Sequence, residues 1–391
     1  MGVMKQFLPL LAVAGVVFAQ NGCDSDSNDV QNQGDADALA NCQTVSGDIV
    51  ISSRVGDTLQ LDGIQELEGD LVVKDAQNLT SLSANDLATI GGNFILDGVT
   101  SLQNLNFPSL TECDQISWRA VPQLSELSFT AGVTKASAVL ITNTGLNSLA
   151  GINLESVKKF DVNNNRYLKT IDVQLGSITE LLNIQANGQG VAASFPNLEW
   201  AFNLTFRECS SVKLPSLESV NSTMGFFDNT IQKFSAPNLT LVGKDLTFTA
   251  NDELTELDFP KLKTINGGFT ITNNTKLESI EGFDKLEKVG GAVTAKGVFD
   301  EASLPALEDV KGGFVMASTG DFDCGPFDKL KNQQVQGKYG CKGNLDKSVA
   351  TATGSSDQAS STETDAASNI KVNHVVLGFA AVAAGLVGLS V

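Results

Sequence analysis

The chain has 391 residues and carries 45 Asp and Glu against 26 Lys and Arg, a formal net charge of −19. Such a surface repels nucleic-acid phosphates and anionic lipid headgroups, which excludes functions built on a basic patch. The one His, His374, lies in the C-terminal tail, so the rest of the chain offers no His-based triad, no Cys-His dyad and no ordinary zinc site.

The first residues, "MGVMKQFLPLLAVAGVVFAQ", place one Lys before an apolar stretch from Phe7 to Phe18 and end on small residues suited to cleavage. Residues 1–19 therefore read as a secretory signal peptide, too short for a membrane span. A lipoprotein signal at Cys23 would need an aliphatic residue three places earlier, which "QNGC" lacks. Residues 20–41 follow as an N-terminal segment and cap. Within them "DSDSND", Asp24 to Asp29, opens like a calcium loop, but Asp29 and Asp35 stand where that loop requires Gly and Glu. The stretch reads as a solvated segment.

Residues 42–344 repeat themselves. "LATIGGNFILDGVTSLQNL", "LTLVGKDLTFTANDELTEL" and "LKTINGGFTITNNTKLESI" are three versions of one phrase, which recurs in about thirteen segments of roughly 19 to 24 residues. Each segment turns at Leu-x-x-Val, enters a short alternating strand and leaves through Leu-x-x-Leu. The inward set includes Leu71 and Val73, Phe94 and Leu96, Phe160 and Val162, Leu246 and Phe248, and Phe269 and Ile271. The outward set is mostly polar: Lys74, Asp97, Asp161, Asn163, Thr247, Thr249, Thr270 and Thr272. No segment sustains a helical apolar period, so the prediction is a mainly β protein with few or no long helices. It is a right-handed parallel β solenoid, on the order of 60 Å long at about 4.8 Å per coil.

Three slots recur for physical reasons. After the strand stands Asn165, Asn187, Asn229, Asn251 or Asn274, whose stacked amides suit buried turn groups. Before it, Gly91-Gly92, Gly267-Gly268, Gly290-Gly291 and Gly312-Gly313 predict a tight entry at positive φ. At the closing corner Pro108, Pro196, Pro215, Pro237, Pro260 and Pro305 each precede a Leu by one spacer, where the missing N–H spoils no ladder.

Sequons stand at Asn78, Asn203, Asn221, Asn238 and Asn273, predicting N-glycans in a secreted eukaryotic chain. The six cysteines admit fifteen complete pairings. Cys23 and Cys42 bracket the entry to the first coil and Cys324 and Cys341 the exit from the last, so these pairs are expected as end-sealing disulfides. Cys113 and Cys209 lie on the fourth and eighth coils, on the order of 19 Å apart, too far to bridge. Cys209 takes the Asn slot and Cys113 an apolar one, so both are expected as buried free thiols. Trp118 and Trp200 are expected to pack in the core.

From Asp346 the chain turns into "DKSVATATGSSDQASSTETDAASN", which offers too little apolar surface to order itself, so residues 345–369 are expected to form a disordered Ser/Thr-rich stalk. Residues 370–391 end in the uncharged "VVLGFAAVAAGLVGLSV" and, with the small residues and spacer before them, form a GPI-attachment signal removed on transfer. Asp365, Ala366 and Ala367 are the candidate attachment residues. The rival is a C-terminal transmembrane helix, against which stand the tail's shortness and its lack of basic residues.

The Gly-Gly strand phrase with its "FPxL" corners resembles the receptor L-domain type of leucine-rich solenoid. Together with "DADALANCQTVSGDIVI", a late Cys pair, the stalk and the tail, it resembles the fungal cell-wall biogenesis proteins of the extracellular-mutant and sporulation-specific group. "NGQGVAASFPNL" departs from the repeat. The resemblance implies a GPI-anchored surface and wall glycoprotein needed for wall integrity and for organising the outer mannoprotein layer, with no catalytic residues to carry over. No cofactor is implied; wall glycans or mannoproteins are the expected partners, with the membrane reached through the GPI lipid.

The rival classes are an enzyme cleaving wall polysaccharide on a β-helix scaffold, which needs only two carboxylates, and a receptor or adhesin binding glycan or protein. Asp252, Glu253, Glu256, Glu278 and Glu281 stand singly at repeat turns and read as a solvated rim rather than an acid–base pair. The best candidate binding face is the outward strand row of Asp161, Asn163, Thr247, Thr249, Thr270 and Thr272.

Overall fold

The computed structural model describes residues 22–346 except residues 189, 332 and 333. It is a parallel β solenoid of about fourteen turns, one more than the repeat count predicts. The principal sheet has 23 strands. Successive rungs stay in register: Leu246 lies opposite Phe269 and Phe269 opposite Val293, while Phe248 lies opposite Ile271 and Ile271 opposite Ala295. All ten inward residues named above are buried. Like therefore meets like between coils, and rings stack, Phe206 on Phe226 at 5.4 Å and Phe226 on Phe248 at 4.6 Å. Each such side chain contributes about 1.5–3 kcal/mol by leaving water, and only the neighbouring coil can cover it.

From the rung Leu71–Lys74 to the rung Phe269–Thr272 the chain leaves through a residue in the left-handed region. Gly98 fills that position once, but Asp75, Ala120, Asn143, Asn164, Ala186, Glu208, Asp228, Ala250 and Asn273 hold it elsewhere, with φ between 51° and 59°. This bend turns the following residue inward. Asn165, Asn187, Asn229, Asn251 and Asn274 are consequently buried, and they form ladders. In each ladder one carboxamide oxygen accepts from the backbone N–H and the amide of the preceding coil's Asn: Asn251 Oδ1 from Asn229 at 3.1 and 2.8 Å, Asn274 Oδ1 from Asn251 at 2.9 and 3.0 Å. The same amides donate to strand carbonyls, Asn251 to Phe226 and Asn274 to Phe248. These bonds satisfy buried turn groups and offset the cost of left-handed non-glycine backbone.

The glycine pairs do not sit at positive φ, contrary to the sequence expectation. Their cause is the close approach of the coil before. A Cβ on Gly290 would lie 2.1 Å from the Asn266 carbonyl oxygen, and one on Gly91 2.5 Å from that of Glu68. At the corners, the N–H of Leu110, Leu198, Leu239 and Leu262 closes back on the carbonyl three residues earlier. Pro108, Pro196, Pro237 and Pro260 occupy the second position of those turns, where a fixed φ is already correct.

Both ends are closed. The sheet begins at Ser27–Val30, paired with Asp48–Ile51, so part of the stretch expected to be solvated is the first rung, with Asp24, Asp26 and Asp29 exposed. A short helix, Gln33–Leu39, is capped by the Asn32 side chain and buries Ala36 and Leu39. At the far end a 3-10 turn, Gly325–Leu330, buries Phe327 and Leu330, and Tyr339 stacks on Phe314 at 5.4 Å. No helix among the described residues is long and apolar enough to cross a membrane.

Candidate functional site

The outward row runs as two columns along the sheet. One reads Asp161, Asn183, Thr205, Gly225, Thr247, Thr270 and Thr294 on successive rungs. Its neighbour holds Arg207, Phe227, Thr249, Thr272 and Lys296. The six candidate residues thus share one face but fall into two groups. Thr247, Thr249, Thr270 and Thr272 form a square on adjacent rungs, with the Thr249 and Thr272 hydroxyls 3.0 Å apart. Asp161 and Asn163 lie four rungs away, about 19 Å at the usual strand spacing. They are tied up: Asp161 Oδ1 accepts from the amides of Asn163 and Asn183 at 2.8 and 2.9 Å, and Asn163 Oδ1 takes the Thr142 hydroxyl at 2.6 Å.

Between the groups lies a feature the sequence reading missed. Phe227 occupies an outward position and is half-exposed, its ring folded across Gly225, where a Cβ would meet Phe227 Cε2 at 2.5 Å. The Arg207 guanidinium sits 5.1 Å from the ring centroid and pairs with Asp228. An aromatic plate with a planar cation on one side and the hydroxyls of Thr205, Thr247 and Thr249 around it can stack on a sugar's C–H face and hydrogen-bond its hydroxyls. Farther along the row, Lys296 is half-buried, and burial pushes its ammonium pKa down. Toward the N-terminus the row is less polar than expected, with Val50, Val72, Ile95 and Leu140 half-exposed.

The carboxylates of the outward row are engaged by neighbouring side chains. Asp97 is held by Arg119 and Asp161 by its amides; three rungs and one column apart, they are more than about 14 Å from each other, beyond the separation of about 5–9.5 Å that glycosidic acid–base pairs use. Glu253 and Glu256 pair with Lys276 and Lys233 on neighbouring coils, and Asp252, Glu278 and Glu281 are exposed. Asp48, Asp70 and Asp245 accept backbone N–H groups at strand entries. No group of three or more His, Cys, Asp or Glu among the described residues can hold a metal ion.

Cys23 is bonded to Cys42 and Cys324 to Cys341, with Cα atoms 5.5 and 5.9 Å apart. Cys113 and Cys209 are free and buried. Burial pushes both thiols up to about 12, helped at Cys113 by Asp114 and Glu112. The Cys209 N–H donates to Asn229 Oδ1 at 2.8 Å, which places Cys209 in the ladder between Asn187 and Asn229. Of the sequon residues, Asn78, Asn221 and Asn273 are exposed and Asn203 and Asn238 half-buried. Trp118 is buried, but Trp200 is half-exposed: its strand, Trp200–Ala201, points Ala201 inward and the indole out. The signal peptide, most of the stalk, the tail and Asp365, Ala366 and Ala367 lie outside the described residues.

Residues 1–40 match the sequence model of the Ecm33 family, described as a GPI-anchored cell wall organization protein. The chain is 42% identical to protein ecm33 of Aspergillus fumigatus over 396 residues, covering 99% of each. It is 39% identical to a cell surface GPI-anchored protein of Arthroderma benhamiae, covering 89% of each. Sporulation-specific protein 2 of Saccharomyces cerevisiae is 34% identical over 79% of this chain and 62% of its own length. No solved structure matches. With end-to-end similarity of this order laid over an unbroken solenoid, the chain belongs to the Ecm33 family of GPI-anchored fungal cell-wall organization proteins.

Proposed function

We propose that the protein is a GPI-anchored, N-glycosylated scaffold of the fungal cell surface and wall that holds wall polymers on its outer strand face without cleaving them. Its relatives are named as cell-surface and cell-wall proteins, which supports the location and the role in wall organisation. The anchor is the GPI lipid transferred near Asp365, Ala366 and Ala367, and the glycans are those of Asn78, Asn203, Asn221, Asn238 and Asn273. The observation that carries the binding reading is the Phe227 plate on Gly225, flanked by Arg207 and the threonine square. The ring covers Gly225 yet stays half-exposed in an otherwise polar row, and wall polysaccharides offer the C–H faces and hydroxyls it suits. The engagement of the outward-row carboxylates, Asp97 by Arg119 and Asp161 by Asn163 and Asn183, supports retention rather than hydrolysis.

Incubating the purified protein with labelled wall glucan, chitin and mannan, and scoring retention and chain length together, tests this. The expected result is retention of one polymer with no shortening, abolished by Phe227→Ala. Cleavage that disappears with a single carboxylate substitution would establish an enzyme instead.

A further inference from the structure

The two tryptophans of the chain occupy opposite surroundings, Trp118 fully buried and Trp200 half-exposed. Trp200 and Phe202 flank buried Ala201 and so face the same outer side, and Phe202 is 42% exposed. Tyr167 is the other large apolar side chain left exposed among the described residues. Exposed aromatics grouped in this way mark a surface that something covers. Here the neighbour is a sequon. The indole Nε1–H of Trp200 donates to Oδ1 of exposed Asn221 on the next coil at 3.4 Å, and Asn221-Ser222-Thr223 is the acceptor triplet. The Thr223 hydroxyl in turn donates to Oδ1 of Asn203.

In an N-glycosylated Asn, Nδ2 has displaced a lipid-linked diphosphate from the anomeric carbon of the sugar and lost one proton. Oδ1 is untouched and still accepts. The Trp200 hydrogen bond therefore survives the modification and fixes the side-chain amide against the indole, with the sugar starting from Nδ2 beside the ring. N-acetylglucosamine carries a C–H face and an acetamido methyl, both of which pack on aromatic rings.

We propose that Trp200 and Phe202 form a built-in platform for the first N-acetylglucosamine of the glycan on Asn221, which covers the apolar corner that the chain itself leaves open. This rests on the reading of Asn221 as an N-glycosylation site. The platform holds the glycan flat along the solenoid at that coil and keeps the corner from associating with other chains.

The test uses the full-length glycoprotein from a fungal host, in detergent, with tryptophan emission and acrylamide quenching as readouts. Trp118 is inaccessible, so the signal that changes belongs to Trp200. Glycopeptide mass spectrometry first establishes occupancy of Asn221. The wild-type protein should show a shielded Trp200, unchanged when an endoglycosidase trims the glycan to its first sugar. Complete removal by an amidase, or the variant Thr223→Ala, should red-shift the emission and raise the quenching constant. An occupied Asn221 with no change on complete removal overturns the platform and leaves the glycosylation reading standing. Loss of shielding on trimming to one sugar also overturns it. An unoccupied Asn221 overturns both.

Discussion

Removing one rung of the asparagine ladder should cost far more than its surface would suggest. In Asn251→Ala, the backbone N–H of Asn229 loses its acceptor and the Phe226 carbonyl loses its amide donor. Asn229 Nδ2 keeps its bond to Phe206 but its second N–H loses its acceptor, the Asn251 N–H keeps Asn274 Oδ1, and the Phe226 carbonyl keeps its place in the strand ladder, so two buried donors of Asn229, one backbone and one amide, are orphaned. At about 1–3 kcal/mol for each unsatisfied buried group, the expected loss is about 2–6 kcal/mol. Because a solenoid responds nearest-neighbour first, the damage should be local. Urea unfolding gives the total, and amide exchange should show lost protection concentrated in the coils around Asn229, Asn251 and Asn274. The converse variant is Cys209→Asn, which places a carboxamide between Asn187 and Asn229 and should stabilise by about 1 kcal/mol. An Asn251→Ala loss below about 1 kcal/mol, or protection lost evenly along the chain, would refute the ladder as a source of stability.

Gly290→Ala forces a Cβ to within 2.1 Å of the Asn266 carbonyl and should lower stability by about 1–3 kcal/mol, whereas Gly56→Ala, with nothing within 4 Å, should stay within about 0.5 kcal/mol; thermal unfolding compares them. Cys113 and Cys209 have the ordinary thiol value of 9.0 when unfolded and about 12 when folded, so the folded chain holds these protons more tightly. Their contribution to stability is therefore complete below about pH 9 and lost as the pH rises from there through about 12, and Cys113→Ala with Cys209→Ala should flatten that part of the Tm profile. Cys324→Ser should destabilise the C-terminal cap by about 3 kcal/mol, read as lost amide protection from Phe314 to Lys342 with the distant coils unchanged.

The inward columns were legible because two periods coincide in the sequence, alternation within a rung and return of the phrase in the next. The Asn and Pro slots were legible for the same reason. The glycine pairs were legible as a slot but not as a cause: a sequence shows that Gly recurs, whereas the Asn266 carbonyl above Gly290 is visible only once coils are stacked. The left-handed column was hidden, since Ala186 and Ala250 carry no side-chain signature of positive φ and adopt it because the ladder behind them holds the turn. Trp200 was misassigned because bulk was read as burial, while its strand points Ala201 inward. Phe227 escaped notice because its exposure depends on Gly225 two residues earlier leaving room for the ring. The same register would have found it, had an aromatic in the outward row been weighed as a departure from Thr247 and Thr249.

The most direct test of an anchored, non-catalytic wall scaffold is complementation of a strain lacking the gene, scored by growth on wall-binding dyes. The full chain should restore resistance, a copy ending before residue 370 should be secreted and fail, and Phe227→Ala should rescue incompletely despite normal surface display. Full rescue by the secreted form would contradict the account.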